Sequence, residues 1–194
     1  MKVKICGIMS EADAAMCSSL GADMLGFVHF PGKLRSLPIE KISEICIGIG
    51  RGATKVLVCN PEDARIAKRM FEMSHADVLQ LCSLGPQDTM TLRKDGINVM
   101  RMVKPVKAEA VKFASAVDCL VYESGEPGSG TAYDYSRIPL GTCRRELIAG
   151  GLTPDNVGEA LSLKPYGVDV SSGVESSPGK KDSVKVASFI ARCR

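Results

Sequence analysis

The chain has 194 residues, a net charge of +3, 45% hydrophobic and 5% aromatic residues, and no tryptophan. That length suits one domain, residues 1–194, with a substantial core, and interspersed acids and bases argue against nucleic acid or an anionic membrane as a partner. Met1 to Cys6 enters a strand pattern directly, with no apolar leader, and no apolar run is long enough to span a bilayer, so a cytoplasmic protein is expected.

Apolar strand-like runs alternate with helical patterns along the chain. Val3 to Cys6 is the first strand. Ser10 caps the helix that follows, with Asp13 three residues on, and Gly21 ends it. Met24 to Phe30 is the second strand, and Pro38 opens a helix with Ile39, Ile42, Ile45 and Cys46 on one face. Thr54 to Cys59 comes next, then a helix start at Asn60-Pro61-Glu62-Asp63. Asp77 to Leu81, a weak helix from Gln87 to Lys94, Asn98 to Val103, and a helix from Ala108 to Ala116 follow. Cys119 to Tyr122 leads into the glycine-rich loop Ser124 to Gly130, and a poorly marked helix is expected near Tyr135 to Arg145. Leu147 to Ala149, a helix started by Thr153-Pro154-Asp155-Asn156, Val168 to Val170, and a last helix from Ser183 to Cys193 complete the chain.

Eight strands alternating with eight helical segments argue an α/β fold with a parallel sheet and right-handed crossovers. Eight units favour closure into a compact (β/α)8 TIM barrel, which leaves no sheet edge exposed. An open Rossmann or flavodoxin-like sheet is the alternative, and no Gly-x-Gly-x-x-Gly follows the first strand to support it. The eight cysteines form no Cys-x-x-Cys pair and sit mostly in apolar patterns, as reduced thiols of a cytoplasmic protein would. With histidines only at positions 29 and 75, neither a zinc site nor a Ser/His pair is expected, and no cofactor or metal is implied. His29 reads as a packed or outward-facing residue of its strand.

In a barrel the chemistry lies at the carboxyl ends of the strands. Those ends carry Cys6, Phe30 to Arg35, Cys59, Gln80, Arg101, Glu123, Gly150-Gly151 and Asp169 to Gly173. Gly150-Gly151 and Ser171-Ser172-Gly173 end the last two strands, where small residues expose backbone N–H groups that can hold a phosphate. The substrate should therefore carry a phosphate. Cys6 is a buried structural thiol, or a base or nucleophile if a neighbouring cation lowers its pKa. Glu123 is a loop charge or a proton donor. Arg35 is a surface arginine or a two-pronged binder of a carboxylate. Asp169 lies in an apolar strand and needs a partner or a ligand. An acid and a base flanking a phosphosugar suit an isomerisation that moves a proton between neighbouring atoms.

With these residues assembled, the chain resembles the phosphoribosylanthranilate isomerases of tryptophan biosynthesis from end to end. The resemblance is carried by Lys4-Ile5-Cys6-Gly7-Ile8, Gly21 to Val28, Gln80-Leu81, Asp118 to Ser124, Gly128-Ser129-Gly130 with Tyr133-Asp134-Tyr135, Ala149 to Val157, and Gly167 to Glu175 with Pro178 to Asp182. It implies an Amadori rearrangement of an aminoaldose phosphate to an aminoketose phosphate. By position it makes Cys6 the base at ribose C2 and Glu123 the acid at the ring oxygen. It makes Arg35 the binder of the anthranilate carboxylate and Asp169 a contact to the middle of the substrate. Gln80 falls among the substrate-binding residues, and Gly150, Gly151, Ser172 and Gly173 form the phosphate cradle. The family usually has Asp where this chain has Glu123, His-Gly where it has Cys82-Ser83, and Ser-Pro where it has Lys33-Leu34.

Two other readings fit the same residues: a paralogue acting on another phosphoribosyl amine, and a non-catalytic phosphosugar-binding module. A substrate with two phosphates would need a second anion cradle, which the sequence does not offer. Whether the protein pairs into a homodimer is left open by the sequence.

Overall fold

The computed structural model describes residues 1–125 and 131–194. Part of the expected Ser124–Gly130 loop, with its Gly128-Ser129-Gly130 motif, lies outside the described residues. The chain runs β1 (Lys2–Cys6), α1 (Glu11–Ser19), β2 (Met24–His29), α2 (Ile39–Gly48), β3 (Thr54–Cys59), α3 (Ala64–Ser74), β4 (Val78–Leu81) and α4 (Pro86–Lys94). It continues through β5 (Val99–Val103), α5 (Lys107–Phe113), β6 (Cys119–Tyr122), β7 (Glu146–Ile148), α6 (Val157–Ser162) and β8 (Gly167–Val170). A small antiparallel pair, β9 (Glu175–Ser177) and β10 (Lys180–Lys181), precedes α7 (Ser183–Arg192). Strands β1 to β8 form a closed parallel barrel, β8 pairing back onto β1 with Val3 opposite Val168. This is the expected (β/α)8 barrel, and closure leaves no unpaired edge.

Strand alternation sorts the side chains into two layers. Val3, Ile5, Leu25, Phe27, Leu57, Leu79, Leu120 and Val168 face outward into the layer between strands and helices. Met24, Val56, Val58, Met100, Cys119, Val121, Leu147 and Ala149 fill the lumen, with Cys6, Val28, Val78 and Cys82 packed against them. Three aspartates close the amino-terminal face, the end of a barrel that serves stability rather than chemistry. Asp23, Asp77 and Asp118 each stand just ahead of a strand and accept the backbone N–H of Val3 (2.9 Å), Lys55 (2.8 Å) and Val99 (2.9 Å) on the preceding strand.

Three expected elements differ. The helix near Tyr135 to Arg145 is replaced, among the described residues, by a short 3₁₀ turn, Tyr135–Arg137. The reason is Glu146, whose buried carboxylate accepts the backbone N–H of Gly141, Thr142 and Cys143 and so turns the chain instead of letting it coil. The third helix starts later than Asn60-Pro61. Asp63 is its cap, accepting from Ile66 N–H at 2.7 Å, so the helix proper begins at Ala64. Thr153 to Asn156 forms a side-chain-bonded turn, Thr153 N–H to Asn156 Oδ1 at 2.7 Å, and α6 begins after it. The Ser10 cap and the left-handed Gly21 (φ 100°) that brackets α1 are where the sequence puts them.

Candidate active site

The carboxyl ends of the strands surround a cavity of about 320 Å³ lined by Cys6, Arg35, Gln80, Glu123, Gly150, Gly151, Asp169 and Ser172 among others. The convergence follows from parity. Lumen positions recur every second residue, so the inward series Lys4–Cys6, Gln80–Cys82, Val121–Glu123 and Asp169–Ser171 all reach one mouth. Of the residues given a site role all but Gly173 line this cavity, whereas Cys59 and Arg101, also expected at the strand ends, are buried and do not line it. A side-chain carbon at Gly173 would stand 1.9 Å from Leu152 O, so the glycine is required by the close crossing of the two strand-end turns. Gly173→Ala is expected to destabilise the fold by about 1–3 kcal/mol, read as a lower urea midpoint at an unchanged m-value. His29 is not among the residues lining this cavity, and its Nδ1 meets Leu37 O at 2.8 Å.

The turn after β7 is built for left-handed backbone, Gly150 at φ 91° and Gly151 at φ 67°. A side-chain carbon at Gly151 would stand 2.2 Å from Ala132 N, so the incoming 131–135 segment lies directly on it. Tyr135 Oη donates to Gly150 O at 2.7 Å and Asn156 Nδ2 to Gly151 O at 2.9 Å, which fixes both peptide planes. Tyr133 packs edge-on against Tyr135 and donates to Tyr122 O at 3.2 Å. The Tyr133-Asp134-Tyr135 motif therefore acts as a clasp over the glycine turn.

Two groups that the sequence reading passed over organise the rest. Lys4, wholly buried, donates from Nζ to Asp169 Oδ2 at 2.7 Å. Burial opposes its charge, but Asp169 and then Cys6 outweigh that and hold its pKa above the ordinary value. Burial pushes the Cys6 thiol up, with the Lys4 ammonium pulling it back. Burial likewise pushes the Asp169 carboxyl up against the pull of Lys4. One ammonium thus serves two acids, and ionising the second of them costs more than ionising the first. Asp169 Oδ1 and Gln80 Oε1 are buried without a hydrogen-bond partner. Two such unsatisfied acceptors in one cavity are costly unless a ligand supplies donors.

Glu175 is the second organiser. Arg35 forks onto it, Nε to Oε1 at 2.8 Å and Nη2 to Oε2 at 2.7 Å, and Lys181 Nζ adds a third contact at 2.8 Å. Burial would raise the Glu175 carboxyl, but Arg35 and Lys181 hold it below its ordinary value. The bidentate carboxylate grip expected of Arg35 is therefore engaged within the protein, and Glu175 aims the guanidinium at the cavity. Glu123 lies just past β6, its N–H bonded to Val103 O at 3.0 Å, and its Cγ is 3.4 Å from where a Gly150 side-chain carbon would stand.

The family model described as N-(5'phosphoribosyl)anthranilate (PRA) isomerase matches residues 3–192. The N-(5'-phosphoribosyl)anthranilate isomerase of Chromohalobacter salexigens is 35% identical, over 98% of this chain and 93% of its own. The crystal structure of the Thermus thermophilus phosphoribosyl anthranilate isomerase superposes with a TM-score of 0.91 at 33% identity, covering 100% of this chain and 98% of that one. A phosphoribosyl anthranilate isomerase in complex with reduced 1-(o-carboxyphenylamino)-1-deoxyribulose 5-phosphate superposes with a TM-score of 0.86 at 28% identity, covering 98% and 96%.

Proposed function

This chain belongs to the phosphoribosylanthranilate isomerase family, and from that premise we propose how the barrel mouth divides the work. The protein is an isomerase that converts N-(5-phosphoribosyl)anthranilate to 1-(2-carboxyphenylamino)-1-deoxyribulose 5-phosphate, a step of tryptophan biosynthesis. In our reading the substrate phosphate sits on the turns of Gly150, Gly151, Ser172 and Gly173, and Arg35 meets the anthranilate carboxylate. The buried acceptors Asp169 Oδ1 and Gln80 Oε1 take the ribose hydroxyls as donors.

Glu123 then protonates the ring oxygen. The C1–O bond breaks as the anthranilate nitrogen pushes in its lone pair, leaving an iminium cation. The Cys6 thiolate removes the C2 proton, and the C2–H electrons neutralise the iminium to give an enolamine. Protonation at C1 and loss of the enol proton complete the aminoketose. No electrons are gained or lost overall, so the acid and the base suffice. The whole chain, residues 1–194, acts as one barrel domain, and it works in the cytoplasm, where Cys6 stays reduced.

The observation that carries this reading is the placement of Cys6 and Glu123 in the same cavity as both strand-end turns. Expression in a tryptophan auxotroph lacking this step is expected to restore growth. Soluble protein that binds the phosphosugar yet neither restores growth nor turns over substrate in vitro would favour the non-catalytic binding module instead.

A further inference from the structure

We propose that Lys4 is a positioning residue for Cys6: its buried ammonium, anchored by Asp169, stands against the thiol and holds the thiolate ready at the substrate. The inference rests on Cys6 being the base.

The geometry comes from three strands. Lys4 and Cys6 share the inward face of β1, Asp169 reaches in from β8 one strand away, and β2 supplies Gly26. A side-chain carbon at Gly26 would stand 2.7 Å from Cys6 Sγ and 3.1 Å from Lys4 Nζ. Both groups therefore border the space left by the missing side chain, and the Lys4 ammonium, hydrogen-bonded to Asp169, acts on the thiol across it. A side chain at position 26 would press on both.

The other charged or titratable groups facing Cys6 can be ranked. From β8, Asp169 opposes the thiolate, and from β10, Lys181 favours it more weakly than Lys4 does. Arg35, from the segment between β2 and α2, also senses the thiol, but its charge and that of Lys181 are offset by Glu175. Cys82, just past β4, interacts with Cys6 as a second acid pushed up to about 12 and stays protonated. Lys4 is thus the cation that acts most strongly on the thiol. A buried ion pair adds little to stability compared with an apolar pair of the same shape, so the Lys4–Asp169 pair is better explained by what it does to Cys6.

The test is the pH dependence of Cys6 alkylation by iodoacetamide in the intact protein, with the Cys6 peptide quantified by mass spectrometry. Only the thiolate reacts. Lys4→Met is expected to move the midpoint up by about one pH unit or more, so that alkylation below the midpoint slows about tenfold or more. The limb of kcat/KM that reports the free thiol should move with it. Asp169→Asn, which leaves the ammonium to the thiol alone, is expected to move the midpoint down. A purely structural ion pair would leave the midpoint in place or shift both variants alike, and either result overturns the proposal. Should Lys4→Met fail to fold, Asp169→Asn decides by itself, since an unchanged or raised midpoint refutes the assignment. Normal turnover by Cys6→Ala would instead sink the base assignment, and the alkylation shift in Lys4→Met would remain measurable.

Discussion

Cys6→Ala lowers kcat by about 10²–10⁴-fold and leaves KM for the phosphosugar nearly unchanged. The split follows from the architecture. In the proposed mechanism the anion rests on Gly150, Gly151 and Ser172 at the ends of β7 and β8, while the thiol, at the end of β1, acts on the reacting carbon only after ring opening. Removing the sulfur takes away a transition-state interaction and little ground-state binding. The pH profile should carry the same signature. Burial holds the free thiol above its ordinary value of 9.0, so kcat/KM of the native enzyme rises with pH and has not levelled off at neutrality. In the proposed mechanism the iminium formed by ring opening brings a second cation into the cavity and favours thiolate at the moment it is needed. Steady-state kinetics on the purified variant, with a ligand-binding isotherm for the phosphate, checks both halves. Turnover within a few-fold of native would remove the base from Cys6.

The barrel was legible because apolar runs of four to six residues at regular spacing leave few other topologies open. The cavity was legible because strand ends are where a closed sheet exposes chemistry. Lys4 was not. In Met1-Lys2-Val3-Lys4-Ile5 the alternation reads as an ordinary strand with its lysines in water, and nothing local says which face closure turns inward. Once β8 pairs back onto β1, that face is the lumen, and Lys4 is wholly buried while Lys2 stays exposed at the bottom beside Asp23. Glu175 escaped for a related reason. Its partners Arg35 and Lys181 lie 140 residues before it and 6 after it, and only the fold brings them together. The absent sixth helix shows the limit of local propensity: a single strand residue, Glu146, captures three preceding N–H groups and outweighs the helical pattern ahead of it. Cys6, Gln80, Glu123 and Asp169 could be found because a polar side chain at the carboxyl end of an apolar strand is itself the signal.

Glu123→Gln should lower kcat by about 10²-fold or more, and Glu123→Asp should lower it by clearly less. The amide keeps the shape and removes the transferable proton. The aspartate keeps the proton but withdraws the carboxyl by roughly an ångström, enough to lose much of the rate through misalignment alone. The side chain lies within contact range of the neighbouring glycine turn. A side-chain carbon at Gly150 would come within 3.4 Å of Glu123 Cγ and within 3.0 Å of the Tyr133 ring. Glu123 and the bare backbone at Gly150 therefore share one wall of the cavity. The prediction has a second arm in Gly150→Ala, which presses on Glu123 Cγ and on the Tyr133 clasp together. It should depress kcat in the Glu123 protein more than in the Glu123→Asp protein, where the wall is already relieved. Steady-state kinetics on the four proteins forms a double-mutant cycle whose coupling energy reads the contact directly. Additive losses would mean that Glu123 does not lean on the glycine turn, and near-native turnover by Glu123→Gln would place the proton donor elsewhere in the cavity.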